Sequence, residues 1–231
     1  MIKINLLFCL IILCGCTTKH NQYIGEEYLG AKYITNPLGE EKSPDTDPLF
    51  RTDAFDCMTF IETSLAQGNK NKLTKIRYKD GNIDITTRNH FMETDWLKNN
   101  AHIVENISNK YGTTAIKTVT IDKKSWFKKI YNIDTDFKPE TVRLEYLPTD
   151  NIHKINNFEP IIVLFLQNNP DIRNKTGTDL TVTHTGFLLP NGTLRHASRK
   201  QRQVVDTDFY EYIIKRKQNK NNIGITLLKI K

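Results

Sequence analysis

One cysteine and two histidines carry side chains that could break an amide bond. Cys57 follows Asp56 at the start of an apolar segment, and His184 and His196 lie twelve residues apart in the stretch VTHTGFLLPNGTLRHAS. A thiolate attacks a carbonyl carbon, an imidazole can take up and return the proton, and a further polar side chain can orient that imidazole. These residue types indicate a cysteine hydrolase, provided that the fold brings them together.

The residues that follow Cys57 predict a helix. Apolar side chains recur at spacings of three and four over residues 57–67, and Asp56 can cap the first turn. A cysteine at a helix N-terminus lies near the positive end of the macrodipole, which lowers the thiol pKa. The free N–H groups of the same turn can face a developing oxyanion. The sequence therefore predicts a thiol with a lowered pKa.

The turn between the two histidines decides whether they can cooperate. Residues 190–192, Pro-Asn-Gly, fit a three-residue hairpin loop in which Gly takes the left-handed position. In that register Gly186 faces His196, and His184 lies on the same face as a diagonal neighbour, with Cβ atoms about 7–8 Å apart. A two-residue turn would place His196 on the opposite face. We expect the three-residue loop, because it uses all three residue types where they are favoured.

The N-terminus predicts export. Lys3 precedes an apolar run over residues 4–14, and this run is shorter than the about 20 residues that a membrane-spanning helix needs. The stretch Leu-Cys-Gly-Cys that ends at Cys16 resembles the lipobox of bacterial lipoproteins. We expect a signal peptide over 1–15, lipidation of Cys16, a tether over 16–24, and a membrane-anchored lipoprotein facing the periplasm or the cell surface. An uncleaved core helix is disfavoured because a polar segment follows at once.

The distribution of cysteines limits the kinds of cysteine site that the folded body can contain. The chain has four cysteines, and three of them lie within the first sixteen residues, so the folded body contains Cys57 alone. A disulfide within that body is excluded, and so is a cysteine-based zinc site. We expect no metal and no cofactor. A small buried apolar role for Cys57 stays open at this stage.

Length favours a single domain, and the distribution of charge argues against a nucleic-acid partner. The formal charge of +7 comes from lysines spread along the chain. Without a dense basic block, and in an exported protein, nucleic acid is not an expected partner. We expect a monomer with a single domain over 25–231.

The order of predicted elements indicates an α+β fold. Helical patterns and mixed segments come first, and after residue 140 the chain turns to strands rich in branched residues, interrupted by one helix in DTDFYEYIIKRK. That order predicts an antiparallel sheet with helices packed on it. Residues 80–135 form a mixed, inserted segment in which AHIVENISNKY is predicted to be helical.

Two motifs resemble the NlpC-type papain-like cell-wall hydrolases. FDCMTFIE resembles their Asp-Cys nucleophile motif, and HTGFLLPNGTLRHAS resembles their histidine pattern. The resemblance implies a papain-like fold whose nucleophile helix packs on the sheet that carries the histidines. It assigns Cys57 as the nucleophile, His184 as the base and His196 as the orienting residue. Tyr33, in YLGAKYITNPLGE, matches a tyrosine near the nucleophile.

A narrower resemblance is to the N-acetylmuramoyl-L-alanine amidase-like branch of these hydrolases. It is carried by RTDAFDCMTFIE, by IRYKDGNIDITTRNHFMETDW and by the histidine motif, and it covers about residues 25–200. It implies hydrolysis of the amide between N-acetylmuramic acid, in its 1,6-anhydro form, and L-Ala, in turnover or recycling of wall fragments. Met58-Thr59 replace the usual small residue after the nucleophile, which weakens transfer of endopeptidase specificity.

The stretch RNHFMETDW is the expected substrate-binding segment. A guanidinium can pair with stem-peptide carboxylates and an indole can stack on a sugar, so the expected contacts are Arg88, Asn89, His90, Asp95 and Trp96. The alternative is a structural ion pair and a core tryptophan.

Three other functions stay open. They are an endopeptidase of the same chemistry, a non-catalytic lipoprotein that binds wall fragments, and an inert lipoprotein in which Cys57 is buried and unreactive. Arg195 and Arg199, which flank His196, are expected to be exposed hairpin charges.

Overall fold

The computed structural model describes residues 23–152 and 155–231. The predicted signal peptide, the lipidation site Cys16 and most of the tether lie outside the described residues, as does His153. Among the residues that are described, no helix has the length and apolar character needed to cross a bilayer.

Six helices and ten strands are formed in the described part of the chain. The helices are α1 (Cys57–Leu65), α2 (Lys70–Arg77), α3 (Leu97–Asn99), α4 (Lys123–Tyr131), α5 (Ile172–Thr176) and α6 (Phe209–Lys217), with a π-helical turn over Met92–Trp96 ahead of α3. The strands are β1 (Lys32–Tyr33), β2 (Ala54–Phe55), β3 (Val104–Asn106), β4 (Ala115–Ile121), β5 (Glu140–Pro148), β6 (Ile161–Gln167), β7 (Val182–Leu188), β8 (Thr193–Ser198), β9 (Gln203–Asp208) and β10 (Asn222–Ile230).

All ten strands belong to one sheet. Its order is β2-β1-β9-β8-β7-β6-β10-β5-β4, and β3 pairs with β10 beside this path. Every pairing is antiparallel except β1 with β2, which is parallel. The predicted α+β class with an antiparallel sheet is confirmed, and the parallel pair is the one exception.

The central strand β6 explains why the core has two layers. Its sequence IIVLFLQ is an unbroken apolar run, which is typical of a strand buried on both faces. Ile162, Leu164 and Leu166 belong to the apolar cluster that includes residues of α1 and α2. Val163 and Phe165 belong to a second cluster, which includes residues of α6.

Helix α1 starts at the residue that the sequence predicted. The Asp56 carboxylate accepts from the Thr59 N–H at 2.8 Å, and the Asp56 N–H donates to the Thr59 hydroxyl at 2.9 Å, so the two residues form a capping box. The helix contacts both β7 and β8. Phe60 on its buried face lies edge-on to Phe187 of β7, with ring centroids 5.7 Å apart. This contact seats the start of α1 on the two strands that carry the histidines.

The β7–β8 hairpin has the predicted register. Leu188 pairs with Leu194, and the Leu189 N–H donates to the Thr193 carbonyl at 2.8 Å, which leaves residues 190–192 as the loop. Gly192 closes that loop with φ of 82°, a conformation that glycine adopts without steric cost. The three-residue loop is therefore confirmed.

Two segments differ from the sequence prediction. Residues 101–111 were predicted to be helical, but they contain β3 and a 3₁₀ turn over Ser108–Lys110, because β3 finds a partner in β10. The strand β9 was not predicted, and its last residues were assigned to the following helix. The partner of β3 lies more than 100 residues later in the chain, so local periodicity does not reveal that pairing. β9 pairs with the preceding strand β8, and its sequence QVVDTD has too short an apolar pattern to predict a strand.

Candidate active site

The Cys57 thiol lies at the first residue of α1, half-buried, and close to β7. Burial raises its pKa to about 12, and the negative charge of Asp56 adds to this effect. The backbone N–H groups of Thr185, Cys57 and Met58 act in the opposite direction, because they donate hydrogen bonds that stabilise a thiolate. Burial outweighs these donors.

The sequence-based expectation of a lowered thiol pKa is therefore wrong for this state of the protein. The helix N-terminus does supply N–H donors to Cys57, as expected, but the thiol is held in surroundings that disfavour its charged form. Cys57 rests as a neutral thiol and needs a base at the moment of reaction.

Two histidine side chains meet on the hairpin next to Cys57. Nε2 of His184 lies 2.7 Å from Nδ1 of His196, and Nε2 of His196 lies 3.3 Å from the Thr207 hydroxyl on β9. When His184 donates from Nε2 and His196 donates from Nε2 to Thr207, the lone pair of His184 is on Nδ1. The backbone N–H of Thr185, the residue after His184, favours the thiolate form of Cys57, so this part of β7 lies beside the nucleophile.

Both imidazoles are neutral near pH 7. Burial, followed by the charges of His196 and Arg216, lowers the pKa of His184 well below its usual value. Burial lowers the pKa of His196 to about 4, against the opposing influence of Asp206. A neutral His184 can accept a proton, and a neutral His196 can accept a hydrogen bond from it.

Gly186 makes room for this pair. A Cβ atom on Gly186 would lie 2.9 Å from the Cβ of His196 and 3.0 Å from the Arg195 carbonyl oxygen. Contacts this short would push the two strands apart, so the predicted role of Gly186 opposite His196 has a direct steric reason.

Tyr33 lies in the surroundings of the nucleophile. Its strand pairs with β2, where Tyr33 is opposite Phe55, two residues before Cys57. Burial raises the pKa of the Tyr33 hydroxyl, and negative charge on Cys57 and Asp56 raises it further. The tyrosine is thus in electrostatic range of the thiol, and its contact with substrate remains a prediction.

A cleft of about 780 Å³ opens beside the two histidines. Strands β7, β8 and β9, the turn after β8, and helix α6 provide most of its walls. It is lined by Gln167, Thr183, His184, His196, Ser198, Arg199, Lys200, Gln201, Thr207, Tyr212, Lys215, Arg216, Asn219 and Asn222.

Sequence reasoning missed Thr207 and Tyr212 in this cleft. The Tyr212 ring lies 5.3 Å from the His196 ring and 6.1 Å from the His184 ring, between centroids. The available signal was weak, because Tyr212 is one of three aromatic residues in α6 and Thr207 belongs to the strand that was not predicted.

Arg88 and Asp95, expected to bind substrate, are engaged in internal ion pairs. Arg88 is 6% exposed; its Nε donates to the fully buried Glu40 carboxylate at 2.7 Å, and its Nη2 donates to Asp45 at 2.8 Å. Asp95 pairs with Lys123. The expected substrate contacts of Arg88 and Asp95 are wrong, because the charged groups of both residues already have partners inside the protein.

The neighbouring residues of the same stretch are also turned inward. The Asn89 side chain donates to the Ile76 carbonyl at 2.9 Å, and His90 contacts the Ile85 carbonyl through Nε2 at 2.7 Å. Trp96 has no exposed surface and belongs to the apolar core. It cannot stack on a sugar from this position. No residue of the 80–135 segment lines the cleft.

The two arginines that flank His196 differ from each other. Arg195 was expected to be exposed, but it is 5% exposed and donates from Nε and Nη2 to the Asp206 carboxylate at 2.8 and 2.9 Å. Arg199 is exposed and lines the cleft, as an exposed hairpin charge can. Among the described residues, no group of three or more His, Cys, Asp or Glu could hold a metal ion.

Comparisons with solved structures reveal the same fold. Protein LPG0564 from Legionella pneumophila superposes with a TM-score of 0.81 at 23% identity, covering 90% of this chain and 86% of that one. An N-acetylmuramoyl-L-alanine amidase from Bacteroides uniformis superposes with a TM-score of 0.70 at 22% identity, covering 91% of this chain and 98% of that one. No curated protein matches the sequence.

The family is established by sequence. A family model named AmiA-like, described as N-acetylmuramoyl-L-alanine amidase-like, matches residues 23–224, which is most of the chain and includes Cys57 and both hairpin histidines. The chain therefore belongs to the N-acetylmuramoyl-L-alanine amidase-like family.

Proposed function

We propose that this protein is a cysteine amidase that hydrolyses the amide between N-acetylmuramic acid and L-Ala in peptidoglycan fragments. The observation that carries the proposal is the His184–His196 pair, joined at 2.7 Å across β7 and β8, the two strands on which the start of α1 with Cys57 is packed. This arrangement provides a base and an orienting group on the β7–β8 hairpin and a nucleophile at the start of α1, the helix that packs against both strands. Membership of the amidase-like family supports the choice of bond.

In the first half of the reaction, His184 accepts the thiol proton on Nδ1 as the Cys57 sulfur attacks the carbonyl carbon. The oxyanion that develops is stabilised by the Cys57 backbone N–H, which has no partner within the helix, and by the Tyr33 hydroxyl. His184 then gives the proton to the nitrogen of L-Ala. The C–N bond breaks, the peptide leaves as an amine, and the lactyl group remains as a thioester on Cys57.

In the second half, water hydrolyses the thioester. His184, again neutral, removes a proton from the water as its oxygen attacks the carbonyl carbon, and returns that proton to the sulfur as the thioester bond breaks. His196 accepts the Nε2–H of His184 throughout, which keeps the basic lone pair on Nδ1. The Thr207 hydroxyl fixes His196 in turn.

The finer parts of the proposal rest on sequence resemblance. They are the papain-like arrangement, the preference for fragments that carry 1,6-anhydro-muramic acid, and a role in wall turnover or recycling. The sequence before residue 23 further supports an exported lipoprotein that is anchored to a membrane through Cys16. The helix-on-hairpin contact between α1 and β7 is consistent with the papain-like arrangement.

Product analysis tests the proposal. Purified protein is incubated with anhydro-muropeptides, and the products are identified by mass spectrometry, with Cys57→Ala and His184→Ala in parallel. Release of a free peptide that begins with L-Ala, absent in both variants, is the expected result. His102→Ala is the matched control, because His102 is an exposed histidine outside the cleft.

The same experiment separates the alternatives. Cleavage within the stem peptide would keep the chemistry and replace the amidase by an endopeptidase. Binding of fragments without cleavage by any form would indicate a non-catalytic wall-fragment-binding lipoprotein. Neither cleavage nor binding, together with a Cys57 that does not react with iodoacetamide even at pH 10, would indicate an inert lipoprotein.

A further inference from the structure

The cleft beside the catalytic histidines is strongly cationic. Four of its lining residues, Arg199, Lys200, Lys215 and Arg216, carry positive charge, and none of its lining residues carries a carboxylate. A concave surface with charge of one sign attracts ligands of the opposite sign. The distribution of charge therefore favours an anionic ligand next to the reacting bond.

Arg216 is held rigidly in this cleft. Its guanidinium lies 4.9 Å from the centroid of the Phe165 ring and 5.8 Å from that of Tyr212. Its Nη2 donates to the Asn222 side-chain oxygen at 2.6 Å, and the same Asn222 side chain donates back to the Arg216 carbonyl at 2.7 Å. These contacts fix the guanidinium before any ligand arrives, which lowers the entropic cost of binding.

Arg216 also lacks an acidic partner within the described residues. The three buried arginines of that part of the chain each pair with a carboxylate: Arg77 with Glu62, Arg88 with Glu40, and Arg195 with Asp206. No carboxylate lies within ion-pair distance of the half-buried Arg216. A fixed guanidinium without a partner is suited to accept a carboxylate in a planar, two-bond geometry.

The position of Arg216 indicates which part of the substrate it meets. Its charge reaches His184, the residue that protonates the leaving amine in the proposed mechanism. Because His184 and Arg216 line the same cleft, the leaving peptide that His184 protonates lies on the α6 side of His184. This orientation rests on the proposed function, and it places the peptide portion, with its carboxylates, over the cationic wall.

We propose that Arg216, supported by Lys215 and Lys200, binds a carboxylate of the leaving peptide and makes the cleft selective for acidic peptides. Arg216 is thus a specificity-determining residue on the leaving-group side of the scissile amide.

A binding measurement on the full chain carrying Cys57→Ala tests this assignment without requiring hydrolysis. The probes are the dipeptide L-Ala-D-Glu, which carries two carboxylates and one ammonium group, and its counterpart in which both carboxylates are amides, each titrated by calorimetry. We expect the acidic peptide to bind about tenfold to hundredfold more tightly, because hydrogen bonds between charged groups are lost in the amide. When Arg216→Gln is added to the Cys57→Ala chain, the two affinities are expected to lie within about twofold of each other.

Two further variants separate charge recognition from a fold defect. Arg216→Lys retains the charge and is expected to keep part of the preference, and Lys217→Gln removes an equal charge from the same helix outside the cleft and is expected to keep all of it. Thermal unfolding of each variant reports on folding. The proposal is overturned if both peptides bind equally, if neither binds, or if Arg216→Gln leaves the preference unchanged.

The outcome is independent of the test of the proposed function. Selective binding of the acidic peptide by a protein that does not cleave muropeptides would support the carboxylate site and contradict the proposed amidase activity. Cleavage at the amide without any difference in affinity between the two peptides would support the amidase activity and contradict the carboxylate site.

Discussion

Nε2 of His184 lies 2.7 Å from Nδ1 of His196, and this contact joins two strands of one hairpin through their side chains. Because both rings are neutral near pH 7, one must donate and the other accept. When the Nε2–H of His196 donates to the Thr207 hydroxyl, 3.3 Å away, His184 is the donor in the histidine pair. The basic lone pair of His184 is then free for the thiol, which is the tautomer that amide hydrolysis needs.

Removal of the orienting ring is expected to lower kcat strongly while Cys57 stays in place. His196→Ala should lower kcat about 10²- to 10⁴-fold, because His184 loses the acceptor that selects its tautomer. His196→Asn, whose side-chain oxygen can still accept from His184, should lose less. Steady-state kinetics check both, with His102→Ala as a control. Equal losses in the Ala and Asn variants would contradict the tautomer argument.

Alkylation of Cys57 is expected to be slow near neutral pH and to rise steeply in base. With a pKa of about 12, only about one thiol in ten thousand is ionised at pH 8, whereas an unperturbed cysteine has a pKa of about 8.5. The rate of iodoacetamide modification, followed on the peptide that contains Cys57, should increase about tenfold for each pH unit from 7 to 10. A plateau below pH 9 would indicate a thiolate already formed in the resting protein.

The acid limit of activity is expected to lie well below pH 6.5. The pKa of His184 is lowered, so the neutral, basic form persists as the pH falls through the usual titration range of histidine. Activity should therefore be retained at pH 6 and be lost only once His184 is protonated. The pH profile of kcat/KM checks this, and half-maximal activity at pH 6.5 or above would contradict it.

The elements around the site were predictable to the extent that local patterns determine them. The Asp56 cap and the loop at 190–192 follow from residue types within one turn. The cap places Cys57 at the start of α1, and the loop places His184 and His196 on one face. The raised pKa of Cys57 did not follow, because it depends on burial by the tertiary structure.

The interpretation of Arg88 failed for a related reason. Its partner Glu40 lies 48 residues earlier in the chain, in a loop whose path the sequence does not reveal. An arginine with a distant internal partner and an arginine that awaits a ligand look alike in sequence. Arg216, which the sequence did not single out, lacks a carboxylate partner within the described residues and lies in the cleft.

Arg88 is therefore expected to affect stability and not substrate binding. Arg88→Met should lower the free energy of unfolding by about 3–5 kcal/mol, because the buried Glu40 carboxylate loses its partner. The KM of the folded enzyme should change by less than about twofold. Arg173→Met, which breaks an exposed pair with Asp179, should cost about 0–1 kcal/mol. A tenfold rise in KM with little loss of stability would indicate instead that Arg88 contacts the substrate.

A methyl group at Gly186 is expected to displace His196 from its contact with His184. In Gly186→Ala the new Cβ would lie 2.9 Å from the His196 Cβ and 3.0 Å from the Arg195 carbonyl oxygen. These two atoms cannot move without the rest of β8, so relief of the contacts requires the strand to shift. We expect a loss of about 1–3 kcal/mol in unfolding free energy, together with a fall in kcat as His196 is displaced from His184. Gly30→Ala, where the added Cβ meets open space but φ is +83°, should lose stability and keep its kcat. If Gly186→Ala behaves like Gly30→Ala, the spacing of the hairpin does not control the His184–His196 contact.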